Sequence, residues 1–145
     1  MKIIKDRKVV QNIWKYTFLE HVSKSGQYDI SSYEKWLALP SVERHKVLAI
    51  ALQPEDELDF NQVELFKLTV IAIVFPTFHE GRGYTQANLL RQRGFSGEIR
   101  AIGAYRDNLS LLEQCGFNAF DLVAHEDISQ ALHAFSELDI SQTLQ

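Results

Sequence analysis

Two glycines flank one arginine in the segment Gly81-Arg82-Gly83-Tyr84-Thr85, directly before a stretch that predicts a helix. Glycines let the backbone approach a ligand closely, and a helix N-terminus supplies free N–H groups and the positive end of its dipole. The planar guanidinium of Arg82 suits an oxyanion. The segment therefore predicts a site for phosphate, sulfate, sulfite or a carboxylate. The alternative is a tight turn in which Arg82 pairs with an internal acid such as Asp107.

A second arginine, Arg106, follows the next predicted strand and can face the same crevice as Arg82, since consecutive strands are usually neighbours. Asp107 is placed to cap the helix that comes after it. No catalytic or metal-binding residue is assigned. The candidate anion-binding residues are Gly81, Arg82, Gly83, Tyr84, Thr85 and Arg106.

The glycine pattern is not a dinucleotide-binding fingerprint. Gln86 stands where the third glycine belongs, and no acid ends the next strand at Gly103-Ala104. No Gly-Lys-Ser/Thr follows, so the segment is not a P-loop either. Nicotinamide or ATP binding by these routes is therefore not expected.

Histidines and one cysteine are candidates for metal binding or nucleophilic chemistry. His79-Glu80 and His125-Glu126-Asp127 occupy equivalent loops, but they lack a metal-binding spacing such as His-Glu-x-x-His, and solvated loop charges are the preferred interpretation. Cys115 falls at the C-terminal end of a predicted helix, where the dipole disfavours a thiolate, so a structural thiol is expected.

Composition narrows the class of protein. The chain has 145 residues, which is the size of one domain, and its net charge of −4 gives no basic field for non-specific nucleic-acid binding. Its longest apolar stretches, Val47–Leu52 and Val70–Phe75, are too short to cross a membrane, and the N-terminus is no secretory signal. A cytoplasmic protein that binds neither nucleic acid nor membrane is expected.

Apolar strands alternate with helices from residue 45 onward. This rhythm predicts an α/β fold with a mainly parallel sheet covered by helices, either open or resembling half of a barrel. Residues 1–44 predict a small strand and helix appendage within the same single domain, 1–145. The predicted strands are Trp14–Phe18, Val47–Leu52, Leu68–Phe75, Glu98–Gly103 and Phe120–Val123, and the predicted helices begin at Ser31, Asp59, Thr85, Asn108 and Asp127.

An internal repeat supports this rhythm, because residues 89–95 (Leu-Leu-Arg-Gln-Arg-Gly-Phe) match residues 111–117 (Leu-Leu-Glu-Gln-Cys-Gly-Phe). Each copy predicts a helix that ends with a glycine in the left-handed conformation, followed by a phenylalanine that packs back on the last turn. The repeat is structural and carries no chemistry.

An ordered set of motifs resembles a bacterial family, the domain of unknown function 934. The resemblance runs from Leu68 to Phe135, with Glu80, Thr85 and Asn108 as mild departures from the family pattern. The matching stretches are residues 80–87 (Glu-Gly-Arg-Gly-Tyr-Thr-Gln-Ala), 89–91, 97–101 (Gly-Glu-Ile-Arg-Ala), 106–108 (Arg-Asp-Asn) and 115–120 (Cys-Gly-Phe-Asn-Ala-Phe).

The resemblance implies a role in sulfite reduction, because members of that family are described as probable oxidoreductases involved in it. No flavin, nicotinamide, siroheme or cluster motif is visible, so the cofactor is unknown and the redox chemistry is expected in a partner such as sulfite reductase. Three functions stay open: an accessory protein that binds a small oxyanion, an oxidoreductase with a non-classical cofactor site, and a non-catalytic scaffold. Self-association stays open too.

Overall fold

The computed structural model describes residues 1–19 and 26–143, which form a mixed α/β fold built on one eight-stranded sheet. The strands, in chain order, are β1 (Lys2–Lys5), β2 (Lys8–Gln11), β3 (Lys15–Tyr16), β4 (Asp29–Ser32), β5 (Ala49–Leu52), β6 (Val70–Val74), β7 (Glu98–Ala104) and β8 (Ala119–Leu122). Their order across the sheet is β2-β1-β8-β7-β6-β5-β4-β3.

The sheet is mixed, so the prediction of a mainly parallel sheet needs correction. Strands β3 to β8 run parallel, but β1 pairs antiparallel with both β2 and β8. The two-residue turn Asp6-Arg7, in which both residues have positive φ, makes β1 and β2 antiparallel, because so short a connection can join only antiparallel strands. Residues before position 45 contribute four of the eight strands, two at each edge of the sheet.

Five α-helices accompany the sheet in the described residues: α1 (Tyr33–Ala38), α2 (Ser41–Arg44), α3 (Arg82–Gln92), α4 (Leu109–Gln114) and α5 (Ile128–Thr143). The hydroxyl of Ser32, not the expected Ser31, caps α1 by accepting from the N–H of Lys35. Asp127 caps α5 as predicted, since its Oδ1 accepts from the N–H of Gln130 at 2.9 Å. The helix expected from Asp59 is instead a turn followed by a 3₁₀ segment, Val63–Lys67.

The repeat builds the helix ends that were predicted. Gly94 and Gly116 have φ of 96° and 112°, the left-handed conformation that glycine adopts without strain. After α3 the N–H of Phe95 donates to the carbonyl of Leu90, and after α4 the N–H of Phe117 donates to the carbonyl of Leu112. Both ends are therefore Schellman motifs.

The sheet curls into a half-barrel with two unlike faces. Its outer face carries the larger core, in which apolar side chains such as Ile71, Ile73 and Ile99 pack beneath α3 and α4 residues such as Leu90 and Leu112. The inner face carries small residues, Ala49, Ala51 and Ala72, among Ile30 and Val70. Trp14, Tyr16 and Phe18 pack on these small residues, so the N-terminal segment fills the concave side.

In the described part of the chain, no helix combines the length and apolar character needed to cross a bilayer.

Candidate functional site

The first loop at the carboxyl end of the sheet holds an ion pair between Arg82 and Glu80. Arg82 is the first residue of α3, and its side chain is 60% exposed. Its Nε donates to Glu80 Oε1 at 2.9 Å and its Nη2 donates to Glu80 Oε2 at 3.0 Å. The backbone N–H of Arg82 also donates to Glu80 Oε1, at 3.1 Å. The internal acid that pairs with Arg82 is therefore Glu80 and not Asp107.

The Glu80 carboxylate lies at the start of α3, where it accepts from the backbone N–H of Arg82. Hydrogen bonds from the Arg82 side chain and then from its backbone N–H lower the pKa of Glu80 to about 2, so the group stays ionised throughout the physiological range. The same pairing raises the pKa of Arg82. Arg82 thus pairs with an internal acid, as in the alternative to an anion site that the sequence left open.

The two glycines beside Arg82 differ in their surroundings. A Cβ on Gly83 would lie 2.6 Å from Phe75 Cζ and 2.8 Å from Ile73 Cγ2, so Gly83 lets α3 pack closely on β6. A Cβ on Gly81 would meet nothing within 4 Å. Gly83 therefore positions the helix, whereas Gly81 borders open space.

The second loop contacts the first turn of α3, where Asn108 meets Tyr84. Asn108 Nδ2 donates to the Tyr84 hydroxyl at 3.4 Å, and Asn108 Oδ1 accepts from the N–H of Tyr105 at 3.0 Å. Arg106 lies in the short 3₁₀ turn Arg106–Asn108 that these bonds hold. The N-cap residue of α4 is Asn108, so the prediction that Asp107 caps this helix is wrong. The structure thus places Arg106 on a loop that touches α3.

Aromatic and imidazole rings from three loops form a row at the same end of the sheet. Phe78, after β6, lies 5.1 Å from the ring of Tyr105, after β7, and Tyr105 lies 5.7 Å from the ring of His125, after β8. Phe78 is 43% exposed, so the row faces solvent at this end. We call Phe78, Tyr105 and His125 the ring row. The sequence did not predict the ring row, because its members are single residues separated by 20 or more positions.

Metal binding has no geometric support within the described residues, where no group of three or more His, Cys, Asp or Glu side chains is arranged to hold an ion. His125 lies 3.8 Å from its neighbour Glu126. Cys115 is the residue at which α4 ends, and burial raises the pKa of its thiol. The predicted place of Cys115 at the C-terminal end of a helix is confirmed.

A polar network on the inner face was not predicted. Arg100, with a side chain only 2% exposed, donates from Nε to Glu98 Oε2 at 2.8 Å and from Nη1 to Asn12 Oδ1 at 2.8 Å. The same Nη1 donates to the Tyr16 hydroxyl at 3.2 Å, which in turn donates to Asp121 Oδ2 at 2.7 Å. The sequence carried one signal for this network. Glu98 and Arg100 lie on the same face of a strand whose other residues are apolar enough to be buried.

Burial dominates the electrostatics of this network. Desolvation raises the pKa of Asp121, and desolvation together with the charge of Asp121 raises the pKa of Tyr16. The phenol therefore stays protonated and serves as a donor to Asp121. Its position inside the curl fits a structural role, because it joins the N-terminal segment to the far strands of the sheet.

The fold and the paired loops define an α/β half-barrel in which Arg82, the first residue of α3, pairs with Glu80 at the carboxyl end of the sheet. A family model described as "Bacterial protein of unknown function (DUF934)" matches residues 49–143, which is well over half of the chain. The chain therefore belongs to this family, and the resemblance drawn from its motifs is confirmed. Neither the curated proteins nor the solved structures contain a significant match to it.

Proposed function

We propose that the protein is a cytoplasmic accessory component of sulfite reduction that binds a small oxyanion at Arg82. The observation that carries the proposal is the Glu80 carboxylate, held by the Arg82 guanidinium and by the first N–H of α3. An incoming oxyanion replaces this built-in carboxylate and takes over its three hydrogen bonds. Sulfite is proposed as the ligand because the resemblance seen in the sequence motifs implies a role in sulfite reduction.

The built-in carboxylate also sets the expected selectivity. Displacing Glu80 leaves an ionised side chain without its partner, which opposes binding. A doubly charged oxyanion gains more from the guanidinium and the helix dipole than a singly charged one, so sulfite and sulfate should bind in preference to nitrate or chloride. Arg106, on the neighbouring loop, is proposed to add positive charge at the same end of the sheet as Arg82.

The test is calorimetric titration of sulfite and sulfate into the wild-type protein and three variants. Glu80→Gln removes the competing charge and should raise affinity by about tenfold, because hydrogen bonds to charged groups contribute about 1.5–3 kcal/mol. Arg82→Ala should abolish binding. Glu113→Gln is the matched control, since it disrupts the comparable ion pair of Arg7 and Glu113, whose Nη2 and Oε1 lie 2.7 Å apart away from any helix N-terminus.

The expected control result is an unchanged affinity in Glu113→Gln. If Glu80→Gln and Arg82→Ala bound sulfite and sulfate with equal affinity, the proposed oxyanion site would be refuted. Association with sulfite reductase is a separate readout, measured by co-purification with and without sulfite.

The ring row favours one alternative, an oxidoreductase that holds a planar cofactor ring at the carboxyl end. Aromatic side chains can stack on a flat ring system, and Phe78 and Tyr105 come from adjacent loops. A thermal-shift screen with flavins and nicotinamides tests this alternative. Stabilisation that is lost in Tyr105→Ala would support it, whereas no shift with any of these cofactors would exclude this route.

A further inference from the structure

Strand β2 has one open side at the edge of the sheet, where no strand of the described residues pairs with it. On its other side the N–H of Asn12 donates to the carbonyl of Met1 at 2.8 Å, and bonded pairs alternate from there along β1 and β2. This alternation directs the N–H and C=O groups of Val9 and Gln11 away from β1. Val9 is 38% exposed and Gln11 is also exposed. The edge therefore presents two donors and two acceptors to an extended chain.

The hairpin that carries this edge is fixed to the rest of the protein at its turn. The N–H of Asp6 donates to the carbonyl of Asn118 at 2.9 Å. Arg7 donates from Nε and Nη2 to the two carboxylate oxygens of Glu113, at 3.1 and 2.7 Å, and its guanidinium lies 5.3 Å from the ring centre of Phe135. The edge is thus preformed, so a partner would bind without having to order the hairpin.

The hairpin is basic although the chain as a whole is acidic. Residues 1–8 hold four of the 15 Lys and Arg residues but only one of the 19 Asp and Glu residues, in a chain of net charge −4. Lys8 lies on β2 itself and Lys2 on the neighbouring strand, and both are exposed. Neither lysine has an ion-pair partner among the residues that the structure describes. Positive charge therefore flanks the open edge.

The acids around the hairpin leave this positive charge in excess. Glu113 is paired with Arg7, with Oε1 and Nη2 2.7 Å apart. Glu98 is buried, and its Oε1 lies 3.4 Å from Lys5 Nζ. Asp6, in the turn, is the one acid of residues 1–11. An acidic segment is consequently the partner whose charge complements this edge.

We propose that the β2 edge binds an extended acidic segment of a partner protein, which adds a ninth strand to the sheet. Its main chain pairs with Val9 and Gln11, and its carboxylates lie beside Lys2 and Lys8. A second copy of the chain would bring a basic edge against a basic edge, which lysines on edge strands oppose. A nucleic acid backbone offers phosphate acceptors but no row of N–H donors for the outward carbonyls.

Two end-capped peptides of seven residues test the proposal, one alternating glutamate with valine and the other alternating lysine with valine. Each is titrated into the full chain with protein amide chemical shifts as readout. The glutamate peptide should bind at least about tenfold more tightly than the lysine peptide, and more weakly as salt is added. Shifts should concentrate at residues 8–12, and amide exchange of Val9 and Gln11 should slow.

Three results of these measurements would overturn the proposal. The first is absence of binding by the glutamate peptide, or equal binding of the two peptides. The second is a dimer in sedimentation whose contact protects the Val9 and Gln11 amides without any peptide. The third is binding of a DNA oligonucleotide at residues 8–12 in preference to the glutamate peptide.

Matched variants locate the site. Val9→Pro removes an outward N–H and keeps every bond between β1 and β2, so it should weaken binding of the glutamate peptide at least about tenfold. Lys8→Glu reverses the charge at the edge and should weaken binding to a similar extent, which also covers the case in which Val9→Pro does not fold. Lys67→Glu is the control, because Lys67 is exposed on the segment before β6, which three strands separate from β2. Undiminished binding by Lys8→Glu would refute the site, whichever result sulfite titration gives.

Discussion

The Tyr16 hydroxyl donates a 2.7 Å hydrogen bond to Asp121 Oδ2, although β3 and β8 have four other strands between them in the sheet. Only a strongly curled sheet brings these strands so close, and the small inner-face residues Ala49, Ala51 and Ala72 leave room for the phenol. The hydroxyl also accepts from Arg100. The N-terminal segment is therefore fastened inside the half-barrel by buried polar bonds, and here the chain fills its own concave face.

Replacing Tyr16 by phenylalanine should lower the free energy of unfolding by about 1–3 kcal/mol, because Asp121 and Arg100 would each lose a buried partner. Denaturant unfolding monitored by fluorescence measures the change. Tyr28→Phe is the control: Tyr28 is 47% exposed and contacts Trp14 through its ring, so its loss of a hydroxyl should be nearly neutral. Equal effects of the two changes would show that the inner network does not stabilise the fold.

The alternation of strands and helices after residue 45 was predictable because each buried strand is a short apolar run bounded by Pro, Gly or a capping residue. The Schellman ends at Gly94 and Gly116 were predictable for the same reason, since they depend on local backbone chemistry. These features need no knowledge of distant contacts.

The direction of β1 and the curl of the sheet were not predictable, because they depend on contacts between residues about a hundred positions apart. Tyr16 and Asp121 are an example, and so are Arg100 and Asn12. At the candidate site, Arg82 was identified from its glycines, but its pairing with Glu80 depends on the loop conformation. From the sequence, Asp107 was an equally suitable partner for Arg82.

Gly83→Ala should destabilise the protein by about 1–3 kcal/mol, because the added methyl group would overlap the side chains of Phe75 and Ile73. Thermal unfolding measures the loss. Gly81→Ala provides the comparison, since a Cβ there has open space and the change at this N-cap position should cost no more than about 1 kcal/mol. If Gly81→Ala proved the more harmful change, close packing of α3 on β6 would not be the reason for a glycine at 83.

The Glu80–Arg82 pair should give the protein a specific acid sensitivity. The pKa of Glu80 is lowered from its usual 4.5 to about 2 in the folded protein, so its stabilising contribution is complete above pH 4.5 and is lost as the pH falls towards 2. Melting temperatures of the wild type and Glu80→Gln, compared across this window, should differ most at its upper end and converge at its lower end. A difference in melting temperature that stays constant with pH would show that the ionised Glu80–Arg82 pair does not stabilise the protein.

Growth of a deletion strain on single sulfur sources, complemented with the wild-type or Arg82→Ala gene, tests the proposed role most directly. The account predicts that the deletion strain grows on sulfide and cysteine but not on sulfate or sulfite, and that only the wild-type gene restores growth. Purified sulfite reductase, assayed with and without the protein, would then locate the step. Normal growth of the deletion strain on all four sources, or full rescue by Arg82→Ala, would contradict an oxyanion-binding role in sulfite reduction.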